Sequence, residues 1–516
     1  MIRSTFAGFT TAQLGMAASQ RALDVTGQNI ANINTPGYTR QRLDIASLNT
    51  QKGDFYNADS VIKVGFGVEM TGVSQLRDPF LDAQYRSQIG KLGTTDAHAA
   101  GFEQLAPIFD EATMQGVRAA FISLTSSLNT LSTQAGNKEN DTMVRSNMQI
   151  LLNLFRDNAN RLGDVREDMQ RGFRDTDIAD LNLILQNIAE LNTTIKNSQV
   201  LGNPALELQD QRNSLLDELG SYLPITVKYR DEPIGPEQYV EVLDVSFVDT
   251  TGSKYSLIYD DSYAKFHARI NEDPVTLTMQ DADGNSVNVT DVLGSGTLKG
   301  TLDLLNKSGD FDGTDFKGLG YYEKALDSLV AKFAEVFNDA NNVKDAAGNV
   351  TEARPLFEKL DNTKPFSATN IKIAAGWTDG TYGITISNKL VGSDTNPGST
   401  ADENVLNMIK LLESSHVFKA GPNNVQFFTG SFHDCFANIE NTLGIDTKSE
   451  TTLLTNQISV LNQTSNSRDG VSGVQLDEEG MNLLHYNQSY SAAARLMTTL
   501  DEALDVLINR TGVVGR

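Results

Sequence analysis

The chain has 516 residues, long enough for two to four domains with real cores. Its 66 acidic residues against 42 basic ones give a formal net charge of −24, which argues against coating DNA or RNA, since phosphate binding needs clustered Lys and Arg. Cys435 is the single cysteine, which excludes an intramolecular disulfide and any multi-cysteine zinc site. The sequence has no apolar run long enough to span a membrane and no basic-then-apolar leader of the cleaved type, which suits a soluble protein or one exported unfolded by a route that reads no cleaved signal.

At the N-terminus Ile2, Phe9, Met16, Leu23 and Ile30 recur every seven residues, and the positions three after them, Thr5, Ala12, Ser19 and Thr26, are small. A large stripe flanked by small residues lets a partner helix come close. This helix is predicted to stop near Asn32–Asn34, because Pro36 restricts the residue before it. Thr35-Pro36-Gly37-Tyr38 fits a type II turn, with proline second and glycine third, where φ is positive. Extended structure follows, with Val61–Val64 and Val68–Met70 flanking Gly65-Phe66-Gly67. That GxG reads as a strand bend, since a phosphate loop would need a third glycine and a following helix.

From about 78 to 222 the chain reads as long helices. Leu181, Ile184, Ile188, Leu191 and Ile195 form a clear a/d seam, and Leu206, Leu208, Leu215, Leu216 and Leu219 mark another helix that Pro224 ends. Residues 225–292 change period and are rich in Val, Thr, Tyr and Ile, with turn signals at Thr251-Gly252 and Asp283-Gly284, which predicts a β domain inserted into a helical rod. A helix returns at 321–341, a turn follows at Ala347-Gly348-Asn349, and a second β-rich piece covers about 350–392 up to a Gly/Ser/Asp/Pro-rich loop at 392–400. Helices resume near 402 and run, with breaks, to the C-terminus.

There Leu483, Tyr490, Met497 and Leu504 fall seven residues apart, with Tyr486, Ala493, Leu500 and Leu507 three after each, an a/d seam over four heptads. A helix of about 25 residues spans roughly 38 Å. Neither end has a local core to cover its stripe, so each needs a partner helix. The economical partner is the other end of the same chain, with further copies as the second. Charge agrees: residues 1–43 carry Arg3, Arg21, Arg40 and Arg42 against Asp24, whereas 477–516 carry six acids against Arg495, Arg510 and Arg516. Exposed pairs are worth only about 0–1 kcal/mol each, so charge selects the partner rather than supplying the stability.

The fold class expected is therefore α+β and multidomain: a long helical bundle, a terminal antiparallel coiled coil of the two end helices, and inserted β-rich parts. The boundaries read as 1–35 with 480–516 for the coiled coil, and 36–224 with 295–345 and 402–479 for the rod, including a β-hairpin region about 40–75. Residues 225–294 form the β-rich insertion and 350–400 the second β-rich segment. Ile2, Phe9, Met16, Leu23, Ile30, Leu483, Tyr490, Met497, Leu500, Leu504 and Leu507 are the candidate assembly interface, and Thr35, Pro36, Gly37 and Tyr38 the candidate angle-setting turn.

Catalytic chemistry is not legible. The five histidines are scattered and form no HExxH pair. His433-Asp434-Cys435 places neighbours about 100° apart on a helix, so Cys435 reads as a buried structural residue. Asp281, Asp283 and Asn285 suggest a calcium loop, but Gly284 comes two places early and position twelve is Val292 rather than Glu, so a hairpin turn is the better reading. Gly294-Ser295-Gly296 lacks the GK[ST] of a phosphate loop. No cofactor or metal is expected, and no enzyme activity.

Asn29-Ile30-Ala31-Asn32-Ile33-Asn34-Thr35-Pro36-Gly37-Tyr38-Thr39-Arg40-Gln41 resembles the signature of bacterial flagellar axial proteins, the rod, hook and hook-associated family. Gly65-Phe66-Gly67-Val68, Asp78-Pro79-Phe80-Leu81, Leu208-Gln209-Asp210-Gln211-Arg212-Asn213 and the C-terminal Ser472–Glu479 and Tyr490–Arg495 segments resemble its hook-associated branch. Gly480, His485 and Asn487 depart from that pattern and bear on local packing. The resemblance implies a structural adapter at the hook–filament junction, outside the cell, needed for filament assembly and motility. It implies export by the flagellar type III apparatus, a chaperone on the C-terminal helix, and a ring of about eleven copies, the family's protofilament number. The partners so implied are the hook protein and a second junction protein, with no nucleic acid or membrane. The alternatives are another axial protein, or a secreted adhesin or enzyme displayed on an axial scaffold.

Overall fold

The computed structural model describes residues 5–48, 65, 67–109, 116–235, 238–270, 274–309, 311, 315–344, 349–387, 402–421 and 423–510. Ile2, the Val61–Val64 strand, Phe66, most of the turn at 347–349 and the 392–400 loop lie outside them. In chain order the elements are α1 (Thr5–Ala31), β1 (Gln41–Ser47), β2 (Val68–Gln75), α2 (Pro79–Phe109), α3 (Val117–Thr133), α4 (Lys138–Gly172), a π-helical turn Phe173–Asp177, α5 (Ile178–Val200) and α6 (Leu206–Tyr222). Strands β3 (Ile225–Gly235), β4 (Gln238–Val248), β5 (Lys254–Tyr259), β6 (Ser262–Tyr263), β7 (Lys265–Arg269), β8 (Thr276–Gln280) and β9 (Ser286–Asn288) follow, then α7 (Thr297–Asn306) and α8 (Leu319–Asn341). The remainder is β10 (Val343–Lys344), β11 (Val350–Glu352), β12 (Phe357–Glu358), β13 (Lys372–Ile373), α9 (Ala375–Thr378), α10 (Glu403–Glu413), β14 (His416–Ala420), β15 (Val425–Gly430), α11 (Phe432–Ser472) and α12 (Leu476–Asp505).

Two antiparallel helix pairs carry the two ends of the chain. In the first, α1 lies against α12: a Cβ at Gly8 would come 3.1 Å from Leu500 Cδ1, and one at Gly15 3.8 Å from Ala493 Cβ. The glycines let the backbones approach, so only a narrow line of α12 is covered. Ala12, Ser19 and Thr26 are the buried side of α1, while Phe9, Met16, Leu23 and Ile30 are half-buried. On α12 the half-buried line is Tyr486, Ala493, Met497, Leu500 and Leu504, whereas Leu483, Tyr490 and Leu507 are 39%, 38% and 55% exposed. The predicted seam thus splits. A straight α-helix drifts about 20° per heptad from a 3.5-residue repeat, so one close-packed partner cannot cover both its a and d positions along the whole length.

In the second pair α2 runs against α11, with Asp82 opposite Arg468 and His98 opposite Glu450. The β1–β2 hairpin, paired from Gln41↔Gln75 to Ser47↔Val68, connects the pairs on one strand of the chain. Residues 473–475 connect them on the other.

Around α2 and α11 sit two apolar cores. One gathers Phe102, Phe109, Phe121, Phe155, Tyr322, Phe333, Phe337, Phe432 and Phe436 from α2, α3, α4, α8 and α11. The other joins Leu181, Leu185 and Ile188 of α5 and Leu216 and Leu219 of α6 to Leu243, Val245, Phe247, Ile258, Phe266, Leu277 and Met279 of the strands. Helices α4 and α5 are continuous, and the π-helical turn falls where the helix passes from one core to the other. The α5 seam thus packs on helix α6 and on the strands together. Sheets β3-β4-β5-β6 and β7-β8-β9 have hairpin turns at the expected Gly252 and Gly284. They are not a free-standing insertion, because their inner face is completed by α5, α6 and α7.

Two expectations are corrected. The 350–400 stretch has, in its described part, only strands of two or three residues. Asparagine side chains take the place of a ladder. Asn338 accepts from the amides of Leu356 and Phe357 (both 2.8 Å) and donates to Phe357 O (2.9 Å). Asn341, fully buried, donates to Arg354 O (2.7 Å) and accepts from Thr385 N (2.7 Å), and Asn404 donates to Ala340 O and Thr385 O. A buried backbone needs partners but not necessarily another strand. Second, the β14–β15 hairpin interrupts a stretch expected to be helical; its alternation Val417-Phe418-Lys419-Ala420 buries Phe418 and Ala420. Asn341→Ala strands the Arg354 and Thr385 groups and should cost about 3 kcal/mol, seen as a lower urea midpoint with Trp377 fluorescence as the probe.

Candidate functional site: the joint between the helix pairs

The place where the helix pairs meet is built from side chains of segments far apart in sequence. Asn29, in the last turn of α1 and buried, forms the first clip. Its Nδ2 donates to Gln41 O (2.9 Å), and its Oδ1 accepts from Gln41 N (2.9 Å) and Tyr38 Oη (2.9 Å). The amide side chain thus pairs with Gln41 as a neighbouring strand would. Between them lies the turn: Tyr38 N donates to Thr35 O (3.2 Å) and Gly37 has φ +78°, the type II geometry expected for Pro36-Gly37. Burial, with Asp210, Glu207 and Glu479 nearby, pushes the Tyr38 phenol up to about 12, so it stays a hydrogen-bond donor.

Beyond the turn the chain is gripped from both sides. Thr39 donates through N and Oγ1 to Asp210 of α6 (3.1 and 2.6 Å), while Arg77 donates to Thr39 Oγ1 (3.2 Å) and forks onto Asp82 (3.1 and 3.0 Å). Burial raises the Asp210 carboxyl above the ordinary range, and the Thr39 bonds and Arg77 only partly offset it. Arg40 reaches the other way. Its backbone N donates to Ser472 O at the end of α11 (2.9 Å), Nε to Glu479 (2.7 Å) and Nη1 to Glu478 (2.5 Å) at the start of α12. Burial disfavours the Arg40 charge, but the two carboxylates outweigh it and hold the guanidinium more firmly protonated.

Three more arginines complete the joint. Arg86 of α2 and Arg468 of α11 share Asp217 of α6 (2.8 and 2.5 Å), and Arg468 also stacks on Tyr85 at 3.9 Å. Arg212, 1% exposed, bridges Asn192 of α5 (3.1 Å) and Glu241 of β4 (2.6 Å). Each guanidinium ties two elements, and its planar fork fixes direction as well as distance. The arrangement ties the two helix pairs together; it offers no nucleophile–base pair, and no metal-ligating cluster occurs among the described residues. Cys435 lies in the core, where burial pushes its thiol pKa up.

Of the candidate residues, Thr35, Pro36, Gly37 and Tyr38 sit at this joint, whereas the stripe residues lie along the terminal pair. Sequence reasoning missed the ionic knot. Its signal was present as charged residues at the ends of apolar helices, in Asp210-Gln211-Arg212-Asn213 and in Asp477-Glu478-Glu479, but nothing in spacing pairs residues 40 and 479.

Both ends of the chain match models of flagellar rod proteins: "Flagella basal body rod protein" over residues 9–39 and "Flagellar basal body rod FlgEFG protein C-terminal" over 470–510. The architecture is that of a flagellar axial protein. The middle matches "Flagellar hook-associated protein FlgK helical domain" over 102–353. Flagellar hook-associated protein 1 of Bacillus subtilis (strain 168) is 28% identical over 99% of this chain and 100% of its own length, and that of Escherichia coli (strain K12) is 25% identical over 96% and 98%. The solved flagellar hook junction protein FlgK from Burkholderia pseudomallei has the same fold, with a TM-score of 0.55 at 13% identity, over 76% of this chain and all of that one. Along its whole length the chain is similar to the flagellar hook-associated protein 1 family.

Removing Arg40 would leave Glu479, whose side chain is 2% exposed, as a buried charge without its partner. Arg40→Ala should therefore cost about 3 kcal/mol by calorimetry, against less than about 1 kcal/mol for Glu478→Ala at the half-exposed partner. At Gly37 a side chain has room, its Cβ meeting Ser214 Cβ at 3.9 Å, so only the positive φ is strained, at roughly 1–2 kcal/mol. Gly37→Val should show near-normal thermal unfolding and normal secretion but few or no filaments on the cell, counted by electron microscopy.

Proposed function

We propose that this protein is the adapter at the hook–filament junction, exported through the flagellar type III apparatus and assembled there as a ring of about eleven copies between hook protein and a second junction protein. The observation that supports this most is the end-to-end correspondence with hook-associated protein 1 of Bacillus subtilis, which covers terminal helices, joint and body alike. It is a structural protein of the flagellum, and its work is done by interfaces.

In this reading the two faces of α12 have separate tasks. The line Tyr486, Ala493, Met497, Leu500 and Leu504 pairs with α1 inside one molecule. The outward Met481, Leu484 and Leu496, between 47% and 64% exposed, await neighbouring copies in the tube and, before export, a chaperone. The joint sets the angle between the terminal pair and the body, so an error in one copy recurs around the whole ring.

Deleting the gene should leave cells that carry hooks but release filament protein into the medium; cells without hooks, or with normal filaments, would overturn the reading. Leu484→Asp with Leu496→Asp should abolish chaperone binding and filament assembly while leaving the α1–α12 pair helical by circular dichroism. Leu500→Asp with Leu504→Asp should instead unpair α1 from α12, with residues 78–222 still helical. Retained chaperone affinity in the first double variant would place the chaperone's site elsewhere.

A further inference from the structure

Midway along the second helix pair, away from the joint, a buried imidazole bridges three elements. His98 of α2 has Nε2 3.6 Å from Asp303 Oδ2 on α7 and Nδ1 3.5 Å from Glu450 Oε2 on α11. Its ring stacks on Phe316 at 3.9 Å, and the His98 side chain is 10% exposed. The two carboxylates differ in what else they hold. Asp303 is also paired with Lys299 and with Lys307 (2.9 Å), so it keeps cations whatever His98 does. Glu450, with a side chain 18% exposed, has a buried Oε2 whose one ion pair among the described residues is with the imidazole, and neither this oxygen nor His98 Nε2 makes a hydrogen bond, so the contacts are ionic. One turn before Glu450, Asp446 of α11 is held by Lys317 (3.4 Å) and by the neutral phenol of Tyr322, which donates to it (2.9 Å).

We propose that His98 is a proton-operated clamp, whose doubly protonated ring docks the middle of α11 onto α2 and α7, and whose deprotonation leaves Glu450 buried without a counter-charge and frees that stretch of α11. Both ring nitrogens facing carboxylates is the arrangement of an imidazolium, since a neutral ring has one N–H and would turn a lone pair toward one of the two oxygens. Burial disfavours the charge on His98, but Asp303 and Glu450 together prevail and lift its pKa above the ordinary value of 6.5. The folded chain thus binds this proton more tightly than the unfolded one. The stabilisation is complete below the ordinary imidazole range and is lost as pH rises through the folded-state value. The pair is firm under mildly acid conditions and loosens on the alkaline side.

Lys448 reports on the clamp, because it is exposed on α11 between Asp446 and Glu450 and is a trypsin site once the helix opens. In the full-length protein, cleavage after Lys448 should speed up about tenfold between pH 6.5 and 8.5, after correction for trypsin's rate on a free peptide of the same sequence. His98→Gln should be cut at the fast rate throughout, with no pH dependence. Glu450→Gln removes the stranded charge and should resist cleavage at pH 8.5 better than the parent. A flat profile in the parent, or the same slope in His98→Gln, overturns the proposal. Should His98→Gln fail to fold, carbon-13 histidine NMR of the parent decides. The resonance that moves in Glu450→Gln must titrate above 6.5, and titration at or below it also overturns the clamp.

Discussion

Everything below the body of this molecule depends on one constraint: Glu479 is buried, and Arg40 is the cation that answers it. A carboxylate out of contact with water is tolerated only when paired and hydrogen-bonded, so the first turn of α12 docks where the segment just before β1 presents that guanidinium. Arg40 sits two residues past the Pro36-Gly37 turn, and its own amide is bonded to the end of α11. Turn, strand and both C-terminal helices are therefore located together. The neighbouring Thr39–Asp210 and Arg77–Asp82 bonds fix the same strand to the body.

Such a joint gives orientation more than stability. Buried ion pairs return little net free energy after desolvation, and an apolar joint of equal volume would hold as well. What apolar packing lacks is direction. A guanidinium donates in its own plane, and five of them, tying together elements far apart in sequence, restrict how those elements can rock. That suits a structural protein of the flagellum built from two helix pairs that meet at one joint.

Periodicity made the terminal helices, the helical middle and the strands of 225–292 legible, because each buries one face and writes it as a 3.5- or 2-residue repeat. Type II geometry at Pro36-Gly37 was legible because only glycine takes that φ without strain. Three things were not. The α5 seam gave the right residues and one partner, helix α6, but not the sheet it also covers, since Leu181 and Ile188 present the same stripe to a sheet as to a helix. Order in 350–387 comes from Asn338, Asn341 and Asn404, whose hydrogen bonds leave no period in the sequence. The joint itself pairs residues 40 with 479, 39 with 210 and 86 with 217, and such distances are set by the fold. Motif resemblance marked those segments without saying that they meet.

If Arg40 fixes the terminal helix pair relative to the body, distances across the joint depend on it. Spin labels at Ser87→Cys on α2 and Thr499→Cys on α12, both exposed, span the joint, while buried Cys435 stays unlabelled. Pulsed electron resonance on the monomer should give one narrow distribution that broadens severalfold on adding Arg40→Ala, with a second label pair across α1 and α12 unchanged. An equally narrow distribution without Arg40 would show that the angle is held by something else.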